Sequence, residues 1–546
     1  MTNPQAKKVT RTTKRKAALP GGPLDPEHDV AASYALDQSF VRGLTRRLVA
    51  TSGVTTTIHA PATGQPLGAV PKSGAEDVPV AFARARAAAK DWAAASFSER
   101  SAVLLRLHDL ILDRREEIMD LICWESGKAR IHAFDEPLHV ALTARYYSRT
   151  LKRHLEPKRR DGVVPFLTHI EEHRLPKGVV GIISPWNYPF TMALADGIAA
   201  LAAGNGVVSK PDHHTPLSAL LGLQLLEEAG MPPGLWQMVA GEGRVLGGPM
   251  IEHADYICFT GSTGTGKIIA RQCAERLIGC SLELGGKNPI LVLADADLDR
   301  AAEGAVRAAF SNGGQLCVST ERLYVAHDVY DDFVGKFVAR TEAMRLSPSH
   351  DWGVDMGSLI SAEQLATVDE HVKDAVKHGA RILAGGKPRP DLGPYFYEPT
   401  ILEGVTADMA CHGDETFGPV ISVYPFTSED EAIALANSGD YGLNAAVYSR
   451  DSKRARRVAN QIKCGTVNVN EAFSATFASI DAPMGGMRSS GMGRRQGAEG
   501  IHRYTEVQSV ATQHFLRFGP HWGLTDQAYA TVMTGAVRLL RHLGRA

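Results

Sequence analysis

The run Val179-Val180-Gly181-Ile182-Ile183 stops at Ser184-Pro185, passes into an alanine-rich stretch and resumes at Gly206-Val207-Val208-Ser209-Lys210-Pro211. Two short apolar strands separated by a helix-length segment form a parallel crossover, because a hairpin would join them in a few residues and a parallel pair needs a dozen or more. That unit commits the chain to an α/β fold with helices over a parallel sheet, and it places ligands beyond the carboxyl ends of the strands. Related apolar runs follow at 235–239 and 256–260. A second set opens at Pro289-Ile290-Leu291-Val292-Leu293, which puts a domain boundary close to Gly286.

At 546 residues the chain exceeds one average domain and can bury a large core. Its formal charge of -1 gives no global electrostatic reason to expect nucleic acid or an anionic membrane as partner. The 7 cysteines are scattered without metal-ligand or disulfide-framework spacing, so no metal site is expected and a reducing, cytoplasmic setting fits best. No run reaches the roughly 18 apolar residues of a spanning helix, and no secretory h-region opens the sequence. Residues 1–30 hold Lys7, Lys8, Arg11, Lys14, Arg15 and Lys16 before the first acid, Asp25, and read as a disordered basic tail. Helical spacing marks 75–92 and 98–126 as packed amphipathic helices, and alternation around prolines marks 155–175 as a projecting hairpin. The stretch from Ala530 to Arg541 reads as a basic amphipathic helix that packs on the body or a neighbouring subunit, with a membrane-surface contact as the alternative.

Chemistry concentrates in two words. Cys317 ends Phe310-Ser311-Asn312-Gly313-Gly314-Gln315-Leu316-Cys317, and Glu283, in Leu282-Glu283-Leu284-Gly285-Gly286-Lys287-Asn288-Pro289, lies 34 residues before it. A free cysteine is ordinarily a small buried hydrophobe, and the other six read that way. A thiol held by small residues and an amide can be an accessible nucleophile, and a carboxylate among glycines can approach to activate water, so the pair implies covalent catalysis.

These words and their spacing resemble the aldehyde dehydrogenase superfamily, over about Val54 to Val510. The resemblance implies that Cys317 forms a thiohemiacetal and then a thioester, that Glu283 is the general base, and that the Asn187 side chain of Pro185-Trp186-Asn187-Tyr188-Pro189 joins the Cys317 N–H as oxyanion donor. It implies an NADP or NAD site built from Ile183, Ser184, Pro185, Trp186, Lys210, His213, Gly243, Gly247, Gly261, Ser262, Glu415 and Phe417. The fold implied is α/β, aldehyde-dehydrogenase-like: a nucleotide-binding domain (31–154 and 176–285), a catalytic domain (286–464), a small β oligomerisation element (155–175 and 465–512) and a C-terminal extension (513–546). A homodimer or homotetramer follows from the same resemblance. So does a small aldehyde as the partner molecule.

Two departures matter. His213 stands where NAD-preferring relatives often carry Glu, which removes a carboxylate that would repel a 2′-phosphate and favours NADP, while Asp212 leaves NAD open. Arg495 replaces the second glutamate of many relatives. Further runs at 354–361, 465–471 and 482–487 are similar to bacterial NADP-dependent succinate-semialdehyde dehydrogenases of the second type. The arginine that another branch carries after the Phe of the cysteine word is Ser311 here; Ser474, Thr476 and Ser479 could supply hydroxyls to a substrate carboxylate. Phe473 and Phe477 suit an apolar aldehyde equally well, so a broad aliphatic or aromatic aldehyde dehydrogenase is the alternative. A different-class reading comes from Gly261-Ser262-Thr263-Gly264-Thr265-Gly266-Lys267, most of a Walker A loop, but Ile268 lacks the metal-binding hydroxyl. A non-catalytic scaffold is disfavoured because Cys317, Glu283 and Asn187 are all intact.

Overall fold

The computed structural model describes residues 34–162, 168–513 and 519–542, so the basic-tail assignment over 1–30 lies outside the described residues. Two sheets dominate. The first runs in the spatial order Gly491–Met492, Gly279–Glu283, Tyr256–Thr260, Val179–Ile183, Gly206–Lys210, Trp236–Met238, parallel throughout except at its first strand. Chain order runs outward in both directions from Val179–Ile183, so the switch point lies beside that strand, where a crevice opens at the carboxyl ends. Every residue of Val179–Ile183 and Gly206–Lys210 is buried, which is why both read as unbroken apolar runs rather than alternating ones.

The crossover helix, Pro189–Ala202, starts with proline in its first turn and is buried along its whole length. Its small residues are a packing requirement: a Cβ on Gly197 would lie 2.1 Å from the Trp236 ring. The Walker-like run is also decided here. Helix Thr263–Glu275 begins inside it, so Gly264, Gly266 and Lys267 are helical rather than forming a loop whose N–H groups could cradle phosphate.

The second sheet has the order Arg381–Ala384, Thr400–Glu403, Val420–Phe426, Thr320–Ala326, Asn288–Val292, Asn444–Tyr448, Thr466–Val469. The chain therefore passes from one sheet to the other between Glu283 and Asn288. Thr466–Val469 belongs to this sheet, not to a separate oligomerisation element as its position after residue 464 suggested. It pairs in parallel with Asn444–Tyr448, its valines pack beside Ala445 and Val458, and the Asn468 amide donates to Asn444 Oδ1 and the Ala445 carbonyl. Gly491–Met492 likewise extends the first sheet.

A third sheet, in the order Thr505–Gln513, Thr168–Pro176, Lys158–Arg160, projects with the outer strand exposed beyond Thr505. Helix Asp526–His542 has no buried residue. None of the described helices is long and apolar enough to cross a membrane.

Candidate active site

Glu283 is the last residue of its strand and Asn288 the first of the next sheet, so the four residues between them bridge the lobes. Cys317 follows a one-turn helix, Ser311–Gly314, in which Asn312, Gly313 and Gly314 all have positive φ. The two words lock together: Asn288 Nδ2 donates to the carbonyls of Cys317 (2.8 Å) and Ser319 (2.7 Å). The glycine pair between Glu283 and Asn288 is forced by close approach. A Cβ on Gly286 would lie 2.8 Å from the Cys317 carbonyl oxygen, and one on Gly285 would lie 2.2 Å from the Glu415 carboxylate.

Asn187 is buried, and its Nδ2 donates to the Gln315 carbonyl at 3.0 Å, two residues before the thiol. Its own carbonyl accepts from Asn312 Nδ2 (3.1 Å) and from Lys128 Nζ (2.7 Å). Lys128 also pairs with Glu136 at 2.6 Å, with both side chains fully buried, and lies 3.7 Å from the centre of the Tyr188 ring. Glu136 in turn accepts the N–H groups of Phe190 (2.9 Å) and Thr191 (3.0 Å), in the first turn of the crossover helix, where a carboxylate is favoured. Taking two charges out of water costs several kcal/mol each unless both are fully hydrogen-bonded. Here that cost is met by bonds that fix the backbone on both sides of Asn187 and Tyr188. Neither Lys128 nor Glu136 carried a sequence signal, since a lysine after glycine and a glutamate in a helix are commonplace.

Glu283 is buried, and its Oε1 has no hydrogen-bond partner among the described residues. Burial pushes its carboxyl up to about 7, held from rising further by Arg495. The Cys317 thiol is pushed up to about 12 by burial and then by the neighbouring charge of Glu283, so at neutral pH it keeps its proton until a base takes it. Arg495 pairs with Asp196 through both Nε (3.3 Å) and Nη2, and Arg503 bonds the same carboxylate at 2.6 Å while its Nη1 donates to Ser281, two residues before Glu283 on the same strand face. At Arg495, the position where many relatives carry a second glutamate, there is thus a buried group of two cations and one anion.

Ile183 and Lys210, both assigned to the cofactor by resemblance, end neighbouring parallel strands of the first sheet. Ile183 ends the central strand, and the Ser184 N–H bonds the Lys210 carbonyl at 3.2 Å. Pro185 follows, and the Trp186 ring meets Phe417 edge-on at 5.6 Å. Buried Lys210 donates to the carbonyls of Pro211 and Gly241. His213 is half exposed and 3.3 Å from Asp212. It borders a cavity of about 170 Å³ shared with Lys72, Gly241 and Glu242, in which Lys72 and Arg244 neutralise Glu242. Gly243 and Gly247 face open space, and Ser262 caps the helix after Gly261. The Glu415–Phe417 turn is held by buried Glu321, which accepts the N–H groups of Thr416 and Phe417 and pairs with Lys287. Ser184 Oγ is buried without a partner among the described residues, at the strand end where the crevice opens. An orphaned hydroxyl beside a buried lysine and glycine-lined helix starts fits a dinucleotide with ribose hydroxyls and phosphates.

Tyr188, Met192, Phe310, Leu316, Phe473 and Phe477 form part of one apolar cluster that also takes in Cys317. Phe477 meets both Phe473 and His139 edge-on. Ser311 Oγ donates to the Arg307 carbonyl at 2.6 Å, Ser474 Oγ accepts from Arg307 Nη2 at 2.9 Å, and exposed Ser479 accepts from Ala482 N–H in a turn. The structure thus brings Ser311 and Ser474 to one wall and leaves Ser479 outside it.

Residues 49–510 match the model of the aldehyde dehydrogenase family. A Mycolicibacterium smegmatis protein, provisionally named a succinate-semialdehyde dehydrogenase [NADP(+)], is 49% identical over 88% of this chain and 93% of its own. The 3-sulfolactaldehyde dehydrogenase of Pseudomonas putida is 38% identical over 88% and 97%. Among solved structures, an NADP-dependent enzyme of E. coli superposes with a TM-score of 0.83 at 34% identity, covering 86% of this chain and 99% of that one.

Proposed function

The chain belongs to the aldehyde dehydrogenase family, and from that premise we propose that it oxidises succinate semialdehyde to succinate with NADP, through a thioester on Cys317. The observation that carries the mechanism is the buried, unpartnered Glu283 carboxyl within electrostatic reach of a thiol whose flanking backbone is clamped by Asn288.

Cys317 adds to the aldehyde carbon as its proton leaves to a base. The oxygen that becomes negative is met by the Cys317 N–H and by the Asn187 amide, which Lys128 and Asn312 hold in place from behind. A bound dinucleotide would supply the hydride acceptor; Lys210 and Ser184 would hold its adenosine half, and Glu415 and Phe417 its nicotinamide half. Glu283, with its carboxyl near 7, takes a proton from water as that water attacks the thioester, and carboxylic acid and free thiol result. Arg495 cannot serve as a second base, so the hydrolytic proton is assigned to Glu283 alone.

NADP over NAD is supported by His213 and by the neutralised Glu242 at the cavity rim, and by the cofactor named for the Mycolicibacterium relative. A small anionic aldehyde is supported by the names of that relative and of the Pseudomonas one, whose substrate ends in a sulfonate. The Phe473–Phe477–His139 wall favours a second reading, broad specificity for apolar aldehydes. A homodimer or homotetramer joined through the exposed strand Thr505–Gln513 is part of the proposal, because an open edge asks for a partner.

The test is an aldehyde panel followed at the reduced-nicotinamide absorbance with NAD and NADP separately. Succinate semialdehyde with NADP is expected to give the highest kcat/KM. Equal values for propanal or benzaldehyde would replace the substrate assignment with the broad one, and a preference for NAD would overturn the role of His213.

A further inference from the structure

The cysteine word lacks an arginine at Ser311, yet a cation stands one helical turn earlier. Arg307 and Ser311 share a face of the end of helix Leu298–Phe310, joined by the bond from Ser311 Oγ to the Arg307 carbonyl. The Arg307 guanidinium lies 6.0 Å from the centre of the Phe473 ring and donates one N–H to Ser474 Oγ. Phe473 packs in the same cluster as Cys317 and Tyr188. Cys317 and Arg307 are both within electrostatic reach of the Tyr188 hydroxyl. Arg307 is exposed and makes no ion pair among the described residues, so most of its five-donor fork is uncommitted. A cation with free donors at the edge of the apolar cluster around Cys317 is the arrangement that receives a ligand whose near end is an uncharged carbonyl and whose far end is an oxyanion.

We infer that Arg307, braced by Ser474 and the Phe473 ring, is the specificity-determining anchor for the distal anionic group of the aldehyde, a carboxylate or a sulfonate. This rests on the anionic-aldehyde reading above and deepens it. The planar guanidinium can take either group through two parallel N–H···O bonds, and stacking on Phe473 limits the rotamers it must give up on binding. Burial raises the Asp135 carboxyl to about 6 and Arg307 restrains the rise, so the guanidinium is close enough to act on both Asp135 and Tyr188.

The experiment compares kcat/KM of the full chain, Arg307→Gln and Arg307→Lys on three aldehydes of similar length: succinate semialdehyde, 3-sulfopropanal and uncharged pentanal. Arg307→Gln is expected to lose roughly 10- to 100-fold on the anionic aldehydes, chiefly through KM, and to hold pentanal within about twofold. Arg307→Lys is expected to recover part of the loss. A loss confined to one of the two anions identifies which the site is built for. A parallel fall on pentanal would reduce Arg307 to a brace for the Ser474 loop, and an unchanged anionic KM would remove it from binding; either overturns the inference while leaving the substrate reading intact. A wild-type chain with no preference for either anion over pentanal overturns both.

Discussion

At the residue scale, the chemistry depends on how far one carboxyl is pushed from its ordinary range. Burial raises Glu283 and the Arg495–Asp196–Arg503 group restrains the rise, so the ionised, water-activating form grows in as pH passes through about 7. Opposite single changes in that group give opposite effects. Arg495→Gln removes a cation and leaves Asp196 less compensated, and both consequences raise the Glu283 carboxyl, so the alkaline-rising limb of the hydrolysis rate is expected about one pH unit higher. Asp196→Asn keeps both cations and removes the anion, so the limb is expected lower. General loosening of the fold would not reverse sign between the two variants, and pH profiles that move together would refute the electrostatic link. The sequence singled out Cys317 and Glu283 by their words and spacing and Asn187 by resemblance, and the structure places Asn187 against the backbone two residues before Cys317. The function of Arg495 was not legible. Its partner Asp196 lies 299 positions away, and nothing in the run around either residue points to the other.

At the scale of elements, the crossover helix Pro189–Ala202 and the long helix Arg130–Leu155 meet through the Lys128–Glu136 pair, which ties the start of one to the approach to the other. Lys128→Met leaves a buried carboxylate unpaired and is expected to cost about 3–5 kcal/mol in chemical unfolding. The double variant Lys128→Met/Glu136→Gln is expected to regain much of that stability while kcat stays low and KM moves little, because the Asn187 carbonyl keeps only its Asn312 donor and still lacks Lys128. Wild-type kcat in the double variant would show the pair to be structural only. Parallel strands and the crossover were readable from unbroken apolar runs, since full burial on both faces leaves no polar alternation. Thr466–Val469 was assigned to the oligomerisation element by the resemblance, which does not say which strand it pairs with. What placed it in the larger sheet is the Asn468 amide network to Asn444 and Ala445, and no periodicity encodes that.

For the whole molecule, the groups proposed to react come from both lobes. Asn187 and Glu283 belong to the first sheet and its crossover, Cys317 to the approach to the second, and the Gly285–Gly286 bridge lets the two surfaces close to within contact. Fold class was open to reading from the first crossover onward. The wall proposed for the aldehyde was less so, because Arg307 and Ser474 are 167 positions apart and meet only in the folded second lobe. The central claim is a division of labour in which Cys317 makes the covalent bond and Glu283 breaks it with water. Rapid mixing of Glu283→Gln with aldehyde and NADP measures this directly. The expected trace is a burst of reduced nicotinamide approaching one equivalent per site, then steady turnover roughly 100- to 10,000-fold below wild type, with no burst in Cys317→Ala. Undiminished steady turnover in Glu283→Gln, or a burst without the thiol, would contradict it.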